Sequence, residues 1–320
     1  MAPPPALAPT VIAHRGASGY RPEHTLAAYR LAIAQGADMI EPDLVCTADG
    51  VLVARHENEL DRTTDIASRA ELADRRTTKL VDGEQVTGWF SEDLTFAELR
   101  TLRAVERLPE LRPASTVYDG RFLVPTLDEV LDLARTSSHR LGRTIGVYIE
   151  AKSPEHFRSV GLPLEQRLVD RLAAHGHGSP QAPVVLQSFA HDSLRELAAL
   201  TALRLTVLLD DIPADDALST PEALRELAAW AWAVGPSKDR VLPRGADGSL
   251  SCPSSFVADA HAAELAVHVW TFRAETPFLP TGLDATSELL AFVDAGIDGL
   301  FTDQPDLAVA AVRALRHAAA

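Results

Sequence analysis

The segment Gly36–His56, "GADMIEPDLVCTADGVLVARH", decides how this chain folds. Gly36 follows an apolar-periodic stretch in the way a residue just past a helix end does, and "DMIEPDLV" (38–45) then reads as a strand. Ile40, Leu44 and Val45 suit a strand buried inside a parallel sheet. Glu41 and Asp43 lie in the same run, and their i,i+2 spacing puts both carboxylates on one face. A turn at Asp49–Gly50 and an alternating stretch bring His56 back towards that strand.

The same rhythm continues outward. Further strands are predicted at 10–14, 144–151, 182–189, 204–209, 230–235, 266–272 and 298–302, which with 38–45 makes eight. Helix signals fall between them: Gly36 and Gly296 as C′ residues, Thr126 with Glu129 as a capping box, and Pro221 and Pro305 in first turns. Eight strands, each followed by a helix, predict an α/β fold, the (β/α)₈ TIM barrel, as one unit over residues 1–320. Between His56 and Pro125 the chain is polar and irregular where one connection should be short, so about 61–124 is read as an insertion over the barrel mouth.

Of 320 residues, 46% are hydrophobic and 23% charged, enough to bury a large core without disulfides. Cys46 and Cys252 are far apart and suggest neither a disulfide framework nor a cysteine zinc site. The formal net charge of -15 argues against a nucleic-acid partner, whose phosphates are gripped by clustered Lys and Arg. It does not exclude a small anion bound by a few cations in a cleft. No uncharged run approaches a membrane span, so no membrane span is expected. The start "MAPPPALAPT" lacks a basic, then apolar, leader pattern. The compartment is therefore extracellular or periplasmic if an export signal has been trimmed, and cytoplasmic otherwise.

Ligands of such barrels sit at the C-terminal ends of the strands, and unusual polar residues collect there. Strand one ends in His14-Arg15, strand two carries Glu41 and Asp43, and strand three carries Glu150 and Lys152. Three buried carboxylates are costly unless paired or metal-bound, and oxygen-only donors favour Mg²⁺ or Ca²⁺. Arg15 offers a planar fork for phosphate and Lys152 a point charge. His14 and His56 suit general acid and base work near neutrality. Asp303 is read as the cap of the helix starting at Pro305, the pairs Asp210-Asp211 and Asp215-Asp216 as a solvated loop, and the eight histidines other than His14, His24 and His56 as structural or solvated.

These residues resemble the glycerophosphodiester phosphodiesterase family. The matching blocks are "HRGASGYRPEHT" (14–25), "GADMIEPDLVCTADGVLVARHENELDRTTD" (36–65), "IEAKSP" (149–154), "QSF" (187–189), "VWTF" (269–272) and "GLFTDQPD" (299–306). The resemblance implies a barrel with a small inserted domain after the second strand, and His14 and His56 as the catalytic pair. It also implies Glu41, Asp43 and Glu150 as ligands of one divalent cation, Ca²⁺ or Mg²⁺, and Arg15 and Lys152 as phosphate contacts. Phe189, Trp270 and Phe301 would line the alcohol or glycerol pockets. The activity implied is metal-dependent hydrolysis of a small glycerophosphodiester, or of a glycerol-phosphate polymer, to sn-glycerol 3-phosphate and an alcohol. The alternatives are a cyclising phospholipase D-like lyase and a non-catalytic phosphodiester-binding barrel. Two departures from the family pattern, His24 for asparagine and Glu57 for aspartate, are read as touching no residue with an assigned role.

Overall fold

The computed structural model describes residues 8–318; the proline-rich start at 1–7 lies outside them, as does the side chain of His317. Twelve strands are described: β1 Thr10–His14, β2 Met39–Glu41, β3 Asp43–Cys46, β4 Leu52–Ala54, β5 Thr77–Val81, β6 Glu84–Gly88, β7 Gly146–Ala151, β8 Val184–Ser188, β9 Arg204–Leu209, β10 Ala233–Pro236, β11 Ala266–Phe272 and β12 Gly299–Thr302. β2 and β3 are two halves of one strand, because Pro42 has no N–H and interrupts the ladder. The register survives the break: Met39 pairs with Gly146 and Asp43 with Glu150, the same offset on both sides. Counted so, the order β2-β1-β12-β11-β10-β9-β8-β7 closes through β2 on β7 into an eight-stranded parallel barrel, and the (β/α)₈ expectation holds.

All eight predicted strands are present, and the largest shift is at 230–235, observed as Ala233–Pro236. The amides of Trp230 and Ala231 still donate to the Leu227 carbonyl, so the preceding helix consumes the residues the pattern assigned to the strand. The capping box at Thr126 and Glu129 forms, and Pro221 and Pro305 each open a helix. Among the described residues no helix is long and apolar enough to cross a membrane.

Parallel pairing fixes which residues reach the rim together. His14 is in register with Glu41, Asp43 with Glu150, and Glu150 with Gln187. Five polar side chains from four neighbouring strands are therefore delivered to the C-terminal rim. Below them Ile12, Tyr148, Val185 and Phe301 fill the barrel, each such buried side chain contributing about 1.5–3 kcal/mol. The site thus rests on a solid floor and opens only at the C-terminal face.

The chain between β4 and the helix Leu127–Leu141 is short 3₁₀ and α turns around the β5-β6 hairpin. Leu60, Ile66, Leu72, Trp89, Leu94, Leu99 and Leu102 bury it against the same hydrophobic core as the barrel.

His268 marks a pH liability in the floor. It is buried, with Nδ1 3.0 Å from the Tyr148 hydroxyl. Burial lowers its pKa to about 4, with Asp298 opposing and Arg204 adding. Because the folded value lies below the unfolded one, the unfolded chain takes up this proton first as pH falls. The contribution is complete above about pH 6.5 and is lost towards pH 4. His268→Gln should therefore lose about 2–3 kcal/mol less stability than the parent between pH 7 and pH 4.5 in urea titrations; equal losses would refute the assignment.

Candidate active site

The glycine after Arg15 shapes the first corner of the site. Gly16 has φ 85°, and a Cβ there would lie 2.7 Å from the Ala28 carbonyl carbon, so the turn hugs the helix Leu26–Gln35. Arg15 (φ 58°) and His24 (φ 52°) also occupy the left-handed region, which costs about 1–3 kcal/mol for residues with a side chain. Both are held by carboxylates. The Arg15 amide donates to Glu41 Oε2 at 2.8 Å, its Nη1 lies 3.3 Å from Glu23, and its Nε lies 3.2 Å from Asp43 Oδ2.

One cavity of about 320 Å³ is lined by His14, Arg15, Glu41, His56, Glu150, Lys152, Phe189, Trp270 and Phe301, every predicted site residue except Asp43. Asp43 is buried behind it, with a carboxylate oxygen within 4.8 Å of ligand atoms of both Glu41 and Glu150. Burial, then Asp43 and Glu150, raises the Glu41 pKa well above the carboxylate range. Burial, with Asp43 adding, raises Glu150 to about 7 although Lys152 donates to it at 2.7 Å. Burial also opposes the charge on Asp43, but Lys152, His24 and Arg15 outweigh it and hold the carboxyl well below its usual range.

The donor set fits a hard divalent cation. Asp43 Oδ1 is buried without a hydrogen-bond partner, and Glu41 keeps only a long 3.4 Å contact on Oε1, from Gln187. Three crowded carboxylates with an orphaned oxygen and no soft donor call for a positive charge between them.

Each histidine has a carboxylate behind it. His14 Nδ1 donates to Asp303 Oδ1 at 2.7 Å, and His56 Nδ1 to Glu57 Oε1 at 2.7 Å. Burial, then Arg15, lowers the His14 pKa to about 4 against the pull of Asp303. Burial, then Arg15 and Lys152, lowers His56 to about 3 against the pull of Glu57. Both rings are therefore neutral at pH 7, with Nδ1 carrying the proton and the Nε2 lone pair left for chemistry.

These contacts correct three readings. Asp303 is not the helix cap: it is buried, contacts His14, Arg112 and Arg273, and leaves Gln304 to precede the helix at Pro305. His24 and Glu57 do touch residues with assigned roles. His24 Nε2 donates to Asp43 Oδ2 at 2.9 Å and the Tyr29 hydroxyl lies 2.8 Å from its Nδ1, so an imidazole fixes the carboxylate. Glu57 is the partner of His56. In the acidic loop Asp215 folds inward to accept from the Asp210 amide, whereas Asp210, Asp211 and Asp216 stay exposed as read, Asp210 at the edge of the cavity.

Gln187 also lines the cavity; in sequence it stands at a strand end, in the block "QSF", with no role assigned, although its position two residues before Phe189 was the available signal. Phe189 and Trp270 pack edge to face, centroids 5.4 Å apart, on the far wall, and the Trp270 indole N–H donates to the Gly235 carbonyl at 2.7 Å. Phe301 is 1% exposed and belongs chiefly to the floor.

A closed parallel barrel whose rim carries paired histidines, an arginine and a carboxylate triad defines an enzyme of the phosphoric diester hydrolase class. The match to the glycerophosphoryl diester phosphodiesterase family model runs over residues 14–307, and the chain belongs to that family. A glycerophosphodiester phosphodiesterase of Arabidopsis thaliana is 34% identical over 92% of this chain and 83% of its own. One of Bacillus subtilis (strain 168) is 32% identical over 92% and 84%. Among solved structures, one from Silicibacter pomeroyi DSS-3 assigned to the same family has a TM-score of 0.72 at 24% identity, covering 98% of this chain and 95% of the other.

Proposed function

We propose that this chain is a divalent-cation-dependent glycerophosphodiester phosphodiesterase that releases sn-glycerol 3-phosphate and an alcohol by paired action of His14 and His56. The observation that carries it is that both imidazoles, each backed by a carboxylate, line one cavity with Arg15, Lys152 and two of the three clustered carboxylates.

Glu41, Asp43 and Glu150 would hold the cation, whose chemistry when bound is charge neutralisation at the phosphoryl oxygens. Arg15 and Lys152 bring fixed positive charge to the same oxygens. A neutral imidazole whose Nε2 is free takes the proton of the attacking oxygen, either water or the glycerol 2-hydroxyl. The other imidazole gives a proton to the leaving alkoxide. Burial chiefly holds these rings neutral, with Arg15 adding at both and Lys152 at His56; an incoming phosphodiester anion offsets those added charges, so substrate itself favours the protonated acid. Phe189 and Trp270 exclude water from the alcohol side.

The test is metal-stripped protein given glycerophosphocholine, glycerophosphoethanolamine, glycerophosphoglycerol or a glycerol-phosphate polymer, with Ca²⁺ or Mg²⁺ restored in turn and product followed by ³¹P NMR. Accumulating sn-glycerol 3-phosphate is the expected result. A cyclic phosphate as end product would assign the lyase outcome instead, and tight binding without turnover would leave only a binding barrel.

A further inference from the structure

Both carboxylates behind the histidines are themselves gripped by arginines from a single loop of the insertion. Arg107 and Arg112 are five positions apart, on a segment fixed to its surroundings by Ala104 N–H to the Phe122 carbonyl and Val105 N–H to the Thr63 carbonyl. Arg107 bridges two acids. Its Nε and Nη2 each lie 2.7 Å from Glu23, while Nη1 and Nη2 reach Glu57 at 2.8 and 2.6 Å. Arg112 sends Nη2 to Asp303 Oδ2, Nε to Glu275, and Nη1 to the Ser18 carbonyl at 3.0 Å. Both guanidinium groups are largely buried, with side-chain exposures of 13% and 4%.

We propose that Arg107 and Arg112 are positioning residues, one for each histidine, through which the insertion locks the two imidazoles in the orientation that turnover needs. The inference rests on the reading of His14 and His56 as the acid-base pair. A carboxylate bound only to an imidazole can rotate or share its proton. At Glu57 the two-pronged guanidinium of Arg107 fixes the carboxylate plane, at Asp303 Arg112 and Arg273 together hold one oxygen, and in both cases the charge keeps the acid ionised. An ionised carboxylate can only accept, so Nδ1 must carry the proton and Nε2 must face the cavity. For Asp303 the division is explicit, since Oδ1 takes His14 and Oδ2 takes Arg112 and Arg273. For Glu57 both oxygens meet Arg107, and Oε1 also accepts from His56. Arg107 does a second service, because its other partner, Glu23, is also the partner of Arg15.

This makes the insertion part of the catalytic apparatus. A loss of either arginine should therefore act on one histidine and spare the other.

Arg107→Met and Arg112→Met are compared with the parent by steady-state kinetics on glycerophosphocholine and by two-bond ¹H–¹⁵N NMR of ¹⁵N-histidine-labelled full-length protein, with His14→Gln and His56→Gln used for assignment. Each variant should lose about 10–100-fold in kcat with KM changed less than about threefold. Arg107→Met should move His56 from the Nδ1–H tautomer to a mixture and leave His14 unchanged; Arg112→Met should move His14 and leave His56 unchanged, by a smaller amount because Arg273 Nε still donates to Asp303 Oδ2 at 3.0 Å. Arg107→Lys and Arg112→Lys keep a charge without the fork and should fall between, and they carry the test if the methionine variants do not fold. Unchanged tautomers, or kcat within twofold of the parent, would overturn the proposal. Full activity in His14→Gln or His56→Gln would instead overturn the acid-base reading beneath it.

Discussion

Replacing His56 with alanine is expected to lower kcat on the order of 10²–10⁴-fold while leaving the fold intact. The ring has 29% of its side chain exposed, so its loss leaves no sealed void in the core and little stability should go with it. What is lost is a base or acid whose proton is already placed on Nδ1 by Glu57. His14→Ala should cost turnover on the same scale, and removing both should cost little more than removing one, because two groups serving one proton relay fail as a unit. A p-nitrophenyl ester of glycerol 3-phosphate separates the roles. Its leaving group departs without a proton, so the variant lacking the general acid recovers on this substrate and the one lacking the base does not. Near-normal kcat for His56→Ala on glycerophosphocholine would reject the assignment.

Removal of the divalent cation is the second large effect. Several kcal/mol of charge stabilisation at the phosphoryl oxygens corresponds to about 10²–10⁴ in rate, so chelated protein should be nearly inactive until Ca²⁺ or Mg²⁺ is restored. Asp43→Asn keeps the shape of the side chain but removes the carboxylate charge and the orphaned Oδ1 at the back of the cluster. Added cation should rescue stripped parent protein and fail to rescue this variant. Melting temperature gives a readout independent of turnover, since a ligand that binds only the folded state raises it. The parent should show that rise and Asp43→Asn should not. A parent whose melting point ignores both cations would remove the metal from the account.

Much of this was written locally along the chain. Eight short apolar runs separated by helical stretches specify a closed parallel barrel, because strand burial and helix capping are recorded within a few residues of each other. The i,i+2 spacing of Glu41 and Asp43 survives the break at Pro42 because the register on β7 is continuous across it. Strand-end polar residues such as His14, Glu150 and Lys152 were legible for the same reason: a charge closing a buried run is conspicuous.

Sequence alone therefore determined the barrel and most of the residues assigned to its rim. The tertiary structure decided which acids stand behind which bases. Asp303 reads as a helix cap in its local context, yet it meets His14 across 289 positions and Arg112 across 191. Arg107 and Arg112 sit in a polar, aperiodic loop that looks like any solvated connection, and Glu57 looks like a neutral variation until Arg107 and His56 converge on it. Periodicity records which side of an element is buried, whereas an ion pair between distant segments depends on where closure of the barrel and folding of the insertion over it bring the chain back, and no local pattern encodes that meeting.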